Sequence, residues 1–241
     1  MMGNSLTCAD CLEVMPEIAN KSIDMILCDL PYGTTACSWD TIIPFEPLWV
    51  QYKRIIKDNG AIVLTASQPF TSKLVMSNLK MFKYALVWEK NRPTGLFTAK
   101  IQPMKYHEDI LIFGNGKIKY NPQMWIGKKS HSVGRGISKS KHYDLPILKD
   151  RENSQYKYPK SILKYNRDHP PIHPTQKPIA LFEYLIKTYT NEGDTVLDNC
   201  AGSGTIGVAC QNLNRKFILI EKEQKYIDII KKRLSQGVLN I

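Results

Sequence analysis

The sequence has no run of about 18 apolar residues, the length that a membrane-spanning helix needs. Its first ten residues also lack the charged-then-apolar pattern of a secretory signal. A cytoplasmic protein with no membrane partner is expected. Cysteine is sparse: six residues at 8, 11, 28, 37, 200 and 210, which without an export signal are expected to be reduced thiols. Cys8 and Cys11 form a lone CxxC, with neither a second close pair nor an HxxxH near it, so a zinc set is not completed and no metal is expected. Internal repeats and low-complexity tracts are missing as well. With 43% hydrophobic and 23% charged residues in 241, the composition excludes a disordered or fibrous chain. It suits one α/β domain carrying an insertion.

Acidic residues are also in short supply. Thirty-three Lys and Arg against 22 Asp and Glu leave a net charge of +11, which favours a polyanionic partner. Between Gly114 and Pro170 lie thirteen Lys and Arg but only four acids, so this segment holds nine of the eleven net charges. Tyr120, Trp125, Tyr143, Tyr156, Tyr158 and Tyr165 are interleaved with them. Cations such as Lys128, Lys129, Arg135, Lys139 and Lys141 can hold phosphates, while Arg, Asn, Gln and Tyr can reach base edges. A solvated basic loop would have a similar composition.

On either side of this segment, short apolar runs alternate with amphipathic stretches, the pattern of a mostly parallel sheet. Strands are expected at Ile23–Asp29, Ala61–Thr65, Tyr84–Glu89, Asp109–Phe113, Thr195–Asp198 and Phe217–Glu221. Helices are expected at Phe45–Lys57, closed by Asp58-Asn59-Gly60, and at Pro69–Asn78, Ile179–Thr188, Thr205–Leu213 and Gln224–Ser235. Trp39, Trp49 and Trp88 suit core or rim packing, and Cys28 and Cys210 suit small buried hydrophobes.

Two clusters carry chemistry. Asp198-Asn199-Cys200-Ala201-Gly202-Ser203-Gly204-Thr205 joins a strand to a helix, and its glycines let backbone approach a ligand at the carboxyl edge of the sheet. Seventeen residues past Gly204, Glu221 ends the next strand, where it can accept hydrogen bonds from a ribose diol. A nucleoside-containing cofactor is implied. The turn lacks the full Gly-x-Gly-x-x-Gly spacing, and nothing basic sits where a pyrophosphate would lie, so S-adenosylmethionine fits better than a nicotinamide dinucleotide.

The second cluster is Asp29-Leu30-Pro31-Tyr32, at the end of the strand Ile23–Asp29. An aromatic amino group is a poor nucleophile because its lone pair is delocalised into the ring. Two acceptors, the Asp29 carboxylate and the Leu30 carbonyl, can each take one N–H and draw the nitrogen toward tetrahedral geometry. Pro31 would fix the turn, and Tyr32 would stack on a base taken out of the duplex. A strand end with an ordinary proline turn is the bland alternative.

Together these segments resemble the amino-methyltransferases of restriction-modification systems and phages in the permuted order called the β class. In that order the catalytic tetrapeptide comes first, target recognition lies in the middle and the glycine motif comes last. Asp29 to Tyr32, His107-Glu108, His173-Pro174-Thr175-Gln176-Lys177-Pro178, Asp198 to Thr205, and Ile220-Glu221 with Tyr226 carry the resemblance, which covers nearly the whole chain. It implies that Asp10 and Cys11 meet the cofactor's adenine and that Thr175 and Lys177 belong to the cofactor-binding segment. Two residues or pairs depart from the family pattern: Leu30 stands for the usual first proline, and Asn199-Cys200 for the usual Pro-Phe, which removes an aromatic wall beside the cofactor.

The resemblance implies a Rossmann-like α/β fold for methyl transfer from S-adenosylmethionine, with a mostly parallel seven-stranded sheet and helices on both faces. A single domain would comprise a catalytic half (1–114), a basic target-recognition insertion (115–170) and a cofactor-binding half (171–241). The expected activity is transfer to N6 of a flipped adenine in double-stranded DNA. N4-cytosine is the close competitor, although Ser at position 29 would have favoured it. A C5-cytosine enzyme would need a thiolate, usually after proline, and no Pro-Cys pair occurs. A non-catalytic DNA-binding subunit is disfavoured by the intact Asp29 and Tyr32. The family context leaves room for a cognate restriction endonuclease and for a homodimer.

Overall fold

The computed structural model describes residues 3–35, 37, 40–128, 155–168 and 176–236. It divides into two compact units, Met1–Asn121 with Ser161–Ile241, and Pro122–Lys160. The ten strands among the described residues are β1 (Ser5–Cys8), β2 (Ile23–Asp29), β3 (Ile56–Ala66), β4 (Phe82–Thr94), β5 (Lys105–Phe113), β6 (Trp125–Ile126), β7 (Tyr156–Lys157), β8 (Ile162–Lys164), β9 (Thr195–Asp198) and β10 (Lys216–Glu221). The helices are α1 (Cys11–Val14), α2 (Phe45–Ile55), α3 (Phe70–Ser77), α4 (Ile179–Tyr189), α5 (Thr205–Asn212) and α6 (Gln224–Gln236).

In the larger unit eight strands form one sheet in the order β1-β10-β9-β2-β3-β5-β4-β8. The five from β1 to β3 run parallel. β5 is antiparallel to β3, β4 antiparallel to β5, and β8 parallel to β4. Period-two alternation explains why both faces are covered. Ile26 and Cys28 of β2, Leu197 of β9 and Ile218 and Ile220 of β10 face a core that includes Leu48, Tyr52 and Ile55 of α2. Met25, Leu27, Val196, Phe217 and Leu219 face a second core with Leu181 and Leu185 of α4 and Ile206 and Ala209 of α5.

Strand direction and order place the chemistry. β2-α2-β3 winds away from β9 on one side and β9-α5-β10 on the other, so the order reverses between β2 and β9. Such a reversal opens a crevice at the carboxyl ends of the strands. Asp29 ends β2, Asp198 ends β9 and Glu221 ends β10.

The sheet has eight strands where seven were expected. Neither β1 nor β8 had been assigned: the first is four residues of mixed burial at the sheet edge, and the second is three residues at the end of the basic segment. β8 is fixed by buried Leu163 and by Trp88 Nε1, which donates to the Tyr165 carbonyl over 2.9 Å. Asp58-Asn59-Gly60 does not end a helix. These residues form a bulge inside β3, where the register with β2 shifts between Ile23↔Ile56 and Met25↔Ala61. A Cβ at Gly60 would stand 2.8 Å from the Asp24 carbonyl oxygen, which explains the glycine.

The smaller unit contributes the antiparallel pair β6 and β7. Trp125 Nε1 donates to the Tyr158 carbonyl over 3.0 Å, and Lys160 Nζ lies 4.6 Å from the Trp125 ring centroid. Lys128 is exposed; Lys129, Arg135, Lys139 and Lys141 fall outside the described residues, as do Thr175 and Trp39. No helix among the described residues is long and apolar enough to cross a membrane.

Candidate active site

A cavity of about 960 Å³ opens at the carboxyl ends of the parallel strands, lined at one end by Asp29 to Tyr32 and at the other by Asp10, Cys11, Asp198 to Ser203, Thr205 and Glu221. The two clusters read from the sequence, 169 positions apart from Asp29 to Asp198, thus share one space.

The glycine turn is tied down by its own polar groups. Gly204 has φ +76 and stands at the N-cap of α5, and a Cβ on it would come within 2.8 Å of Ile230 Cγ1 on α6. Gly202 has φ +52 and open space where a Cβ would point, and its amide donates to Glu221 Oε2 over 2.8 Å. The other carboxylate oxygen, Oε1, accepts the Glu223 amide at 2.9 Å, so Glu221 staples the two loops that follow β9 and β10. Burial pushes its carboxyl up. Arg233 of α6, which the sequence reading did not single out, donates to the Ser203 carbonyl at 2.6 Å and to the hydroxyls of Ser203 and Thr205 at 3.1 Å.

Asp198 accepts the Cys200 amide at 3.2 Å and has no partner in the ion pairs among the described residues. Burial pushes its carboxyl up to about 8. An unpaired buried acid suits a ligand that carries positive charge. Asn199, first of the pair that stands for the usual Pro-Phe, is buried and accepts the Tyr52 hydroxyl at 2.5 Å. Asp10 caps α1, accepting the Leu12 amide at 2.8 Å, and Cys11 is buried at the cavity wall.

At the other end, Asp29 is held on both carboxylate oxygens. Oδ1 accepts the Tyr32 hydroxyl at 2.8 Å and a short hydrogen bond from Thr65 of the neighbouring strand β3. Oδ2 accepts Lys177 Nζ at 2.6 Å. Lys177, placed in the cofactor-binding segment by resemblance, lines the same cavity, and its ammonium bridges Asp29 and Glu108, at 3.3 Å from Glu108 Oε2. Lys90 closes the chain on Glu108 Oε1 at 3.1 Å. Burial pushes the Glu108 carboxyl up, but Lys177 and Lys90 outweigh it and hold it below the usual range. For Lys177 burial pulls down while Asp29 and Glu108 pull up more strongly, so its ammonium is held above its ordinary value.

The Tyr32 ring stacks on Phe70 with centroids 5.2 Å apart, which covers one face. The loop after it is wound around Asp40, whose carboxylate accepts the amides of Gly33, Thr34 and Thr35 at 2.7 to 2.9 Å. Asp40, Thr65, Lys90 and Arg233 carry no motif. His107-Glu108 alone gave a signal, as a matched pair without a role.

A model of the DNA methylase family, whose label covers N6 and N4 enzymes, matches residues 23–232. The chain belongs to this family. The methylase is 29% identical over 247 residues to the type II methyltransferase M.HpaI of Haemophilus parainfluenzae, covering 97% of this chain and 75% of that protein. It is 27% identical to M.HinfI of Haemophilus influenzae, covering 97% and 68%. Among solved structures it resembles the M1.HpyAVI complex with S-adenosylmethionine, at 28% identity and a TM-score of 0.64 over 95% of this chain and 99% of that one. PvuII methyltransferase, described as cytosine-N4-specific, shares the fold at 14% identity and a TM-score of 0.63 over 98% and 94%.

Proposed function

We propose that this methylase transfers the methyl group of S-adenosylmethionine to N6 of an adenine flipped out of double-stranded DNA, as the modifying half of a restriction-modification pair. One observation carries the reading: Asp29, rather than Ser, ends β2 in the same cavity as the glycine turn and Glu221.

The cofactor fits the residues present. Asp198 offers a buried, cation-free carboxyl, Gly202 leaves open space beside its backbone, and Glu221 offers its remaining lone pairs to a diol. When bound, S-adenosylmethionine supplies an electrophilic methyl on sulfur. Asp29 and the Leu30 carbonyl accept the two N–H groups of the target, so that its lone pair is directed at that methyl. Lys177, Thr65 and Tyr32 hold the Asp29 carboxylate in place while it does so. Tyr32, stacked on Phe70 and with the Lys177 ammonium 5.6 Å from its ring centroid, supplies an aromatic surface for the base beside Asp29, and the proton shed by the methylated nitrogen leaves to water.

Incubation with duplex DNA and labelled S-adenosylmethionine, followed by digestion to nucleosides, tests this directly. N6-methyladenine is expected. N4-methylcytosine would overturn the adenine assignment and keep the chemistry. Asp29→Ala should lower transfer by on the order of 10²-fold or more, as loss of a hydrogen-bonding group acting only in the transition state does. Cofactor binding by that variant, read by calorimetry, should stay close to the parent; equal loss of both would remove Asp29 from the chemistry.

A further inference from the structure

We propose that the loop joining β4 to β5 is a preformed wedge that enters duplex DNA beside the target and fills the gap the flipped base leaves, with Phe97 at its tip. This rests on the base-flipping reading above and adds the element that would open the duplex. Leu96 is 74% exposed, Phe97 104% and Ile101 84%, three large apolar side chains within six residues. Each forgoes the burial that core side chains gain, and clustered exposure of this kind marks a contact surface.

The loop is built, not frayed. Gly95 has φ +89 and starts a tight turn over Leu96–Thr98. The Thr98 amide and hydroxyl donate to the Gly95 carbonyl at 3.1 and 3.0 Å, Ala99 to Leu96, and both Ile101 and Gln102 to Thr98. Gln102 Nε2 adds a bond to the Thr98 hydroxyl at 3.0 Å. The backbone satisfies itself inward and leaves the apolar side chains outward.

Position and charge select the partner. Thr94, Gly95, Gln102, Pro103 and Lys105, on both sides of the tip, line the cavity that contains Asp29, so the apolar residues stand at its mouth. From Lys90 to His107 there is no acidic residue; Lys90 is buried against Glu108, but Arg92 and Lys100 are exposed and Lys105 is half-buried. An apolar tip on a basic stem suits insertion between base steps with the stem on phosphates. A second copy of the chain seated here would cover the mouth through which the base must pass.

The test uses a duplex carrying the sequence that wild-type protein modifies, mapped in the DNA of cells expressing it, with 2-aminopurine beside the target base. Wild-type protein should relieve 2-aminopurine quenching, and Phe97→Ala should not. On the paired duplex Phe97→Ala should transfer methyl on the order of tenfold more slowly than wild type. With the target opposite an abasic site, where no partner base holds it in the helix, the variant should return to within about twofold of wild type. Phe97→Leu should retain most activity on both. Equal loss on the two duplexes, no loss on either, or persistent quenching with bound wild-type protein would overturn the wedge. The nucleoside that wild-type protein methylates judges the adenine reading separately, because the paired-to-abasic ratio has the same meaning for either base.

Discussion

Lys177 illustrates how a residue can be found in a sequence while its partners stay hidden. The segment containing it was legible as a motif, but its pairing with Asp29, 148 positions away, depends on folding. Lys177 is buried between two carboxylates, so Lys177→Met leaves Asp29 without its cation and Glu108 with Lys90 alone. Removing one partner of a buried pair costs about 3–5 kcal/mol. Urea unfolding should show a loss of that order, and adding Glu108→Gln should recover part of the stability but not the transfer rate. A neutral Lys177→Met would mean that the network contributes little to stability. Asp198 gives a pH signature. Its folded carboxyl sits at about 8 because of burial, against about 4 when unfolded. Between those values the folded protein retains a proton that the unfolded chain has released, so this carboxyl makes stability fall as pH rises through the window. Cofactor-free Asp198→Asn keeps an acceptor for the Cys200 amide and loses the titration. Its melting temperature should therefore decline less than that of wild type from about pH 5 to pH 9; parallel declines would show that Asp198 is already ionised in the empty pocket.

At the scale of elements, most strands and helices were legible because their apolar periods were long enough to count. The β9-α5-β10 unit falls almost where its pattern put it. What escaped were β1, β6, β7 and β8, too short to show a period, and the true nature of Asp58-Asn59-Gly60. A strand bulge and a helix stop use the same turn residues, and only pairing with β2 distinguishes them. Gly204 shows where composition alone underdetermines cost. Alanine there would be strained by φ +76 and would also press on Ile230 at 2.8 Å, whereas at Gly116 φ is +54 with nothing within 4 Å of a Cβ. Strain of this kind costs about 1–3 kcal/mol. Gly204→Ala should therefore lower the melting temperature more than Gly116→Ala, and it alone should weaken S-adenosylmethionine binding, since the close approach to Ile230 joins the glycine turn to α6. Equal effects in both measurements would mean that α6 yields without disturbing the turn.

At the scale of the whole molecule, the order of segments was the clearest message in the sequence. A tetrapeptide near the start and a glycine turn near the end gain meaning only when a sheet reversal brings β2 beside β9, and the family match over residues 23–232 spans both. The middle is where legibility was lowest, because charge without apolar periodicity says what a segment attracts but not how it folds. Its role can still be measured through charge. Nine of the eleven net positive charges lie between Gly114 and Pro170. If that segment grips the phosphates, replacing Lys128, Lys129, Arg135 and Lys141 with glutamine should weaken duplex binding and flatten its dependence on salt. The log–log slope should fall by about 0.9 for each phosphate that is no longer neutralised. Cofactor affinity should be unchanged if these cations serve the DNA alone; Lys128, the one of the four among the described residues, does not line the cavity. Weaker binding with an unchanged slope would mean that these residues shape the segment without touching phosphate. An unchanged affinity would shift the grip on DNA to the basic stem of the β4–β5 loop, where Arg92→Gln with Lys100→Gln should then produce the flattening instead.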